Sequence, residues 1–131
     1  MIADVSKAPM ISIVDDDPSV RQAIDGLLRS LDYRVATFVS AEDFLRSSHM
    51  NETSCLICDI HMPGMGGVDL QRALIAQGNR TPMIFITAFP EERIRRYVMG
   101  AGAIDYLDKP LDEERLIERL QTALVDTRSA A

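Results

Sequence analysis

Leu56-Ile57-Cys58-Asp59-Ile60-His61-Met62-Pro63 is a short apolar run that reaches a lone carboxylate and passes at once into a proline-glycine turn. A run of this length between turn signals reads as a strand buried on both faces, although periodicity alone leaves a buried helix open. An unpartnered charge at the end of such a strand is costly, because water no longer solvates it. Asp59 therefore calls for a function or a cationic partner.

The flanking chain supplies the rest of a sheet. Upstream, Met10-Ile11-Ser12-Ile13-Val14 is a strand that runs into Asp15-Asp16-Asp17-Pro18, where proline and acids suit a helix start. Val20, Ala23, Ile24, Leu27, Leu28 and Leu31 then recur at helical steps, as one apolar face. Arg34-Val35-Ala36-Thr37-Phe38 is a second strand, and Ser40 with Asp43 resembles a capping box for a short helix carrying Phe44 and Leu45. The polar stretch from His49 to Ser54 reads as a loop, and residues 1–8 as a loose leader.

Downstream of Asp59, Met62-Pro63-Gly64-Met65-Gly66-Gly67 is irregular. A third helix turns Val68, Leu70, Ala73 and Leu74 inward and ends near Gly78-Asn79. Pro82 to Thr87 is a fourth strand, and Pro90 starts a helix with Ile94, Tyr97 and Val98 inward. Ala103 to Leu107 is a fifth strand with Asp108-Lys109-Pro110 as its exit turn. The last helix buries Leu116, Ile117, Leu120, Ala123 and Leu124, after which the chain frays. Nearly all-apolar strands alternating with helices imply a parallel α/β sheet covered on both faces.

At 131 residues the expectation is a single domain over 1–131 with its core between about 9 and 124. Apolar content of 47% against 26% charged residues excludes a wholly disordered chain. A net charge of -6 without a Lys/Arg run argues against a nucleic-acid surface. The first apolar stretch is too short for a signal-peptide core or a membrane span, so a cytoplasmic location is expected. Cys55 and Cys58 form a C-x-x-C. On a strand these positions face opposite ways at roughly 10 Å, which favours two reduced core thiols over a disulfide or a metal site.

Unusual residues gather at strand ends: Asp15, Asp16 and Asp17 after the first strand, Asp59 after the third, Thr87 after the fourth and Lys109 after the fifth. In a parallel sheet these emerge along one carboxyl edge, where open α/β folds bind ligands. If the first and third strands are neighbours, their carboxylates lie roughly 5 Å apart and demand a proton or a cation. A hard, oxygen-lined pocket suits Mg²⁺, with Mn²⁺ or Ca²⁺ able to substitute. A carboxylate beside a metal, an ammonium and a hydroxyl is equipped to accept a phosphoryl group. Singly, the acid triplet reads as a helix start, Thr87 as core and Lys109 as a solvated loop residue; together at successive strand ends they read as a site.

Ile13-Val14-Asp15-Asp16-Asp17, Asp59 with Met62-Pro63-x-Met65-x-Gly67, Ile86-Thr87-Ala88 and Asp108-Lys109-Pro110 occur in the order found in receiver domains of bacterial two-component response regulators. The chain resembles that family from about Pro9 to Leu124, and the spelling is nearest to receivers that precede a helix-turn-helix domain. The resemblance implies a doubly wound, flavodoxin-like sheet of order 2-1-3-4-5, the order for which a receiver is a known example. It implies that Asp59 takes a phosphoryl group from a sensor histidine kinase or phosphotransfer protein. Mg²⁺ would be bound by Asp16, Asp59 and the backbone carbonyl of His61, with Asp15 acting through water. Lys109 would pair with the phosphoryl group and Thr87 would hydrogen-bond to it, while small Ala88 leaves the pocket open. Tyr106 falls at the aromatic switch position coupled to Thr87, and the Lys109-Pro110 bond is expected to be cis. The fourth helix, fifth strand and fifth helix would form the output surface, a homodimer or downstream-partner contact, with no membrane or direct nucleic-acid contact.

Two departures from the pattern carry expectations of their own. Gly66 stands where a polar residue commonly starts the third helix, so a late or loose start is expected. Phe89, two residues beyond Thr87, is expected to cover the phosphoryl group, and His61 to turn its ring to solvent. The competing readings are weaker. A haloacid-dehalogenase-type phosphohydrolase, suggested by Asp15-x-Asp17, meets Pro18 and leaves Asp59 idle. A calcium loop counted from Asp15 puts Val20 where glycine is needed and Gly26 where glutamate is needed. A receiver fold with a dead site, serving only as a protein-interaction module, leaves the complete acid, threonine and lysine set unexplained. Accordingly the expected role is regulatory: a phosphoacceptor that catalyses only its own phosphorylation and dephosphorylation, as a stand-alone regulator or the input half of a transcription factor.

Overall fold

The computed structural model describes residues 8–129. Five parallel strands lie in the order β2-β1-β3-β4-β5: β1 (Met10–Val14), β2 (Arg34–Phe38), β3 (Thr53–Asp59), β4 (Met83–Thr87) and β5 (Asp105–Asp108). The helices are α1 (Pro18–Ser30), α2 (Ala41–Arg46), α3 (Gly67–Ala76), α4 (Glu92–Gly100) and α5 (Glu113–Ser129). Alternation along the strands divides the core in two. Ile11, Ile13, Cys55 and Ile57 pack with Leu28 of α1 and Leu116 and Leu120 of α5. Val14, Leu56, Cys58 and Phe85 pack with Phe44 of α2, Leu70 and Leu74 of α3 and Val98 of α4.

The two thiols are free, buried and on opposite faces, as their spacing predicts. Burial pushes the Cys55 thiol up to about 12. Cys58 is raised as well, by burial first and then by the charges of Asp59 and Asp15. Neither thiol is equipped for redox chemistry at neutral pH.

Caps set several boundaries where the sequence puts them. Asp17 accepts the Ser19 amide at 2.9 Å ahead of Pro18, and Ser40 accepts the Asp43 amide at 3.1 Å. Gly78 at φ 73° closes the end of α3. The Lys109-Pro110 bond is cis.

Other boundaries move. β3 begins at Thr53, inside the stretch read as loop, because the Thr53 hydroxyl is buried against Ser12 at 2.7 Å and donates to the His49 carbonyl at 2.7 Å. A single 3-10 turn, Met50–Glu52, precedes it. α4 begins at Glu92 rather than Pro90, since the Glu91 amide is held by the Tyr106 hydroxyl at 3.1 Å. Tyr97 is not inward but 50% exposed; Ile94 and Val98 suffice to seat α4. Leu31, at the cap of α1, and Ala23 lie outside the buried face, which centres on Ile24 and Leu28. β5 starts at Asp105 and runs through Asp108, and α5 continues to Ser129 instead of fraying after Leu124. Of the expected leader, residues 1–7 lie outside the described residues, while the Ala8 carbonyl accepts the Arg34 guanidinium at 2.8 Å.

Candidate functional site

Register brings the acids together. Val14 of β1 pairs with Cys58 of β3, so Asp15 and Asp59 leave neighbouring strands side by side. One carboxylate oxygen from each of Asp15, Asp16 and Asp59 lies within 4.8 Å of the others, close to the strand spacing expected from sequence. Asp15 and Asp59 are buried, whereas Asp16 is exposed and opens the cluster to solvent.

Backbone contacts hold Asp15 on every side. Its amide donates to Phe38 of β2 at 3.2 Å, and its Oδ1 accepts the Asp17 amide at 2.9 Å. Its carbonyl accepts Arg21 Nη1 at 2.7 Å. Arg21 was not anticipated, since an arginine four residues past a helix cap looks like ordinary surface until the loop folds back on it.

Lys109 reaches the acids from the loop after β5. Its Nζ lies 2.9 Å from Asp15 Oδ2 and 3.3 Å from Asp59 Oδ2. The Asp59 contact is a hydrogen bond, and the shorter Asp15 contact is an ion pair, so one ammonium serves an oxygen of each acid. The sequence predicted Lys109 at this edge but not its bridging of two carboxylates. Asp59 Oδ1 accepts the His61 amide at 3.3 Å. Burial first, and then the charge of Asp15, hold the Asp59 carboxyl above the ordinary range against the opposing pull of Lys109. For Lys109, burial works against the ammonium, yet the attraction of Asp15 and Asp59 prevails and raises it.

Three carboxylates facing one ammonium leave an excess of negative charge. Such a set of hard oxygens fits a divalent cation of the Mg²⁺ class.

The remaining predicted residues lie at or beyond the ends of β3 and β4 and within β5. Thr87 is buried at the end of β4; its hydroxyl accepts the Phe89 amide at 3.0 Å, and its carbonyl accepts the Lys109 amide at 2.8 Å. Tyr106 is buried with its hydroxyl on the Glu91 amide. Ala88 is exposed. Phe89 is 69% exposed and sets its ring edge against His61, with centroids 6.0 Å apart. The His61 ring is exposed as expected, with Nε2 3.9 Å from Glu91 Oε1.

Gly67 explains the glycine pair after Asp59. A Cβ there would stand 2.6 Å from the Asp59 carbonyl oxygen, so only glycine lets α3 start against the acceptor loop. Gly66 sits at the cap without a side chain to offer, and the Asp69 carboxylate accepts its amide at 3.3 Å instead. α3 thus starts directly after Gly66, neither late nor loose.

The family described as response regulator receiver domain matches residues 11–121. The response regulator protein TmoT of Ectopseudomonas mendocina is 42% identical over 115 residues, covering 88% of this chain and 52% of that protein. The transcriptional regulatory protein FixJ of Bradyrhizobium diazoefficiens is 30% identical over 121 residues, covering 92% of this chain and 59% of that protein. The chain thus spans little more than half the length of these curated relatives. Among solved structures, response regulator StyR superposes with a TM-score of 0.87 at 37% identity, covering 94% of this chain and 62% of that one. A response regulator receiver protein from Burkholderia phymatum gives 0.75 at 37% identity, covering 88% and 94%. With its sheet order, its acid cluster and this match in hand, the chain belongs to the response regulator receiver domains, the phosphoacceptor switches of two-component signalling.

Proposed function

We propose that Asp59 is the phosphorylated residue and that its donor is a phosphohistidine on a sensor kinase or phosphotransfer protein. The observation that carries this assignment is the convergence of Asp15, Asp16 and Asp59 within 4.8 Å, with Lys109 in contact with both buried acids. An Asp59 carboxylate oxygen attacks phosphorus in line; the new O–P bond forms as the donor's N–P bond breaks, and the imidazole leaves with the electron pair and takes a proton. Asp16, Asp59 and the His61 carbonyl are assigned as Mg²⁺ ligands, with Asp15 acting through water. When bound, the cation neutralises charge on the phosphoryl oxygens.

Lys109 gives up its contact with Asp59 and follows the phosphoryl group. The Thr87 hydroxyl, which accepts from Phe89 in the unphosphorylated chain, donates to a phosphoryl oxygen. Because Thr87 and Tyr106 lie on paired strands, this change reaches the Tyr106 hydroxyl and the Glu91 amide at the start of α4. The charge on Asp59 thereby biases the surface of α4, β5 and α5.

Intact mass after incubation with acetyl phosphate and Mg²⁺ tests the assignment. Wild type gains one phosphoryl group, and Asp59→Asn or chelation of the metal abolishes the gain. Labelling that survives Asp59→Asn refutes the acceptor. Release of many phosphates per chain from small esters, without a retained label, favours the hydrolase.

A further inference from the structure

α3 and α4 leave between them an open cleft of about 740 Å³, whose lining includes no residue of the acid cluster, β5 or α5. Val68 and Arg72 stand one turn apart along its α3 wall, and Arg93, Arg96 and Tyr97 line its α4 wall at helical spacing. Ile94 lies at the base, half-buried like Val68, while Tyr97 is 50% exposed. Arg72 and Arg93 contact no carboxylate among the described residues, and Arg96 is 3.9 Å from Glu92, which Arg95 already holds at 2.6 Å. Glu91 is the one acid lining the cleft.

This concentration runs against the rest of the molecule. The chain carries a net charge of -6, yet the cleft gathers three arginines against one glutamate. Elsewhere, most exposed arginines face acids, Arg29 with Asp25, Arg46 with Asp43, and Arg115 and Arg119 with Asp105, while Arg80 stands apart without a carboxylate among the described residues. Arginine and tyrosine beside an apolar floor are the residue types that dominate binding at protein interfaces. Two parallel ridges with a trough between them take a helix, as helices take one another.

From this we infer that the cleft between α3 and α4 docks an acidic amphipathic helix of another protein. Its carboxylates meet Arg72, Arg93 and Arg96, and an apolar anchor settles on Val68, Ile94 and Tyr97. A second copy of this chain is a poorer occupant, because two such clefts brought face to face would oppose like charges. The inference does not depend on the chemistry at Asp59.

Fluorescence anisotropy with the full chain tests it. The probes are a labelled helical peptide with glutamates flanking a leucine-phenylalanine stripe and its twin with lysines in place of the glutamates. The acidic probe is expected to bind at least about tenfold more tightly than the basic one, and Arg93→Glu and Arg72→Glu each to weaken it by about tenfold. Arg46→Glu, on α2, leaves binding unchanged, and amide shifts on adding the probe centre on Val68, Arg72, Ile94 and Tyr97. Equal binding of the two probes, equal loss in Arg46→Glu, or shifts confined to β5 and α5 overturns the inference. Self-association that Arg93→Glu abolishes also overturns it, in favour of a second copy.

Discussion

β1 and β3 bury polar groups against each other at both ends, on opposite terms. Toward the amino end, Ser12 and Thr53 share a hydrogen bond of 2.7 Å, and the Thr53 hydroxyl donates in turn to the His49 carbonyl. That pair is neutral and bonded. At the carboxyl end, Asp15 and Asp59 share one lysine, negative charge is left over, and Asp59 is held above its ordinary ionisation range. The same two strands thus carry one neutral polar contact and one that leaves charge uncompensated. Buried like charges that a single ammonium only partly neutralises invite a further cation, whereas a completed neutral pair fixes only the fold.

Lys109→Met should widen this contrast most. Removing the cation leaves two buried carboxylates facing each other and costs about 3 kcal/mol in urea unfolding without metal. Saturating Mg²⁺ recovers part of that loss. A cost below about 1 kcal/mol would mean that water already solvates the acids and that the two ends differ little.

Gly67→Ala comes next, because its Cβ meets backbone and not a movable side chain. The expected cost is about 2 kcal/mol in thermal unfolding, with slower labelling from acetyl phosphate because the loop after Asp59 must shift. Unchanged stability would show that α3 can yield without disturbing the acceptor.

A smaller effect is expected from pH. The raised ionisation of Asp59 means that the native state holds this proton to higher pH than the unfolded chain. Its contribution to stability is therefore greatest at low pH and is lost as pH rises from the ordinary carboxylate range, about 4, through the raised native value. Without metal, Asp59→Asn should overtake wild type in Tm across that window. Parallel curves would remove the strain attributed to this end.

Ser12→Ala should cost least, about 1 kcal/mol, because Thr53 keeps its bond to the His49 carbonyl. The cost should not vary over the same pH window. A pH-dependent loss would make the amino end electrostatic too.

Much of this was legible beforehand because each signal was local. Runs such as Met83-Ile84-Phe85-Ile86 are apolar throughout, which suits strands covered on both faces, and Asp17 and Ser40 cap helices with their own side chains. Placing Asp15, Asp59, Thr87 and Lys109 on one edge required only that the strands be parallel. What escaped depended on groups distant in sequence. Thr53 reads as loop until Ser12 lies beside it, and Pro90 reads as a helix start until Tyr106 takes the next amide. Tyr97 reads as core because periodicity counts apolar positions without knowing how wide a stripe the sheet can cover.

By itself, then, the sequence determined the order of elements, most of their apolar faces and the set of chemically unusual residues that gather at the strand ends. These follow from solvation and backbone geometry within a few residues. Only the tertiary structure decided that Lys109 spans Asp15 and Asp59, that Arg21 steadies the Asp15 carbonyl and that Arg72 and Arg93 share a cleft. Those contacts join side chains from separate segments, and their energies exist only once packing has set the distance between them and the water left around them.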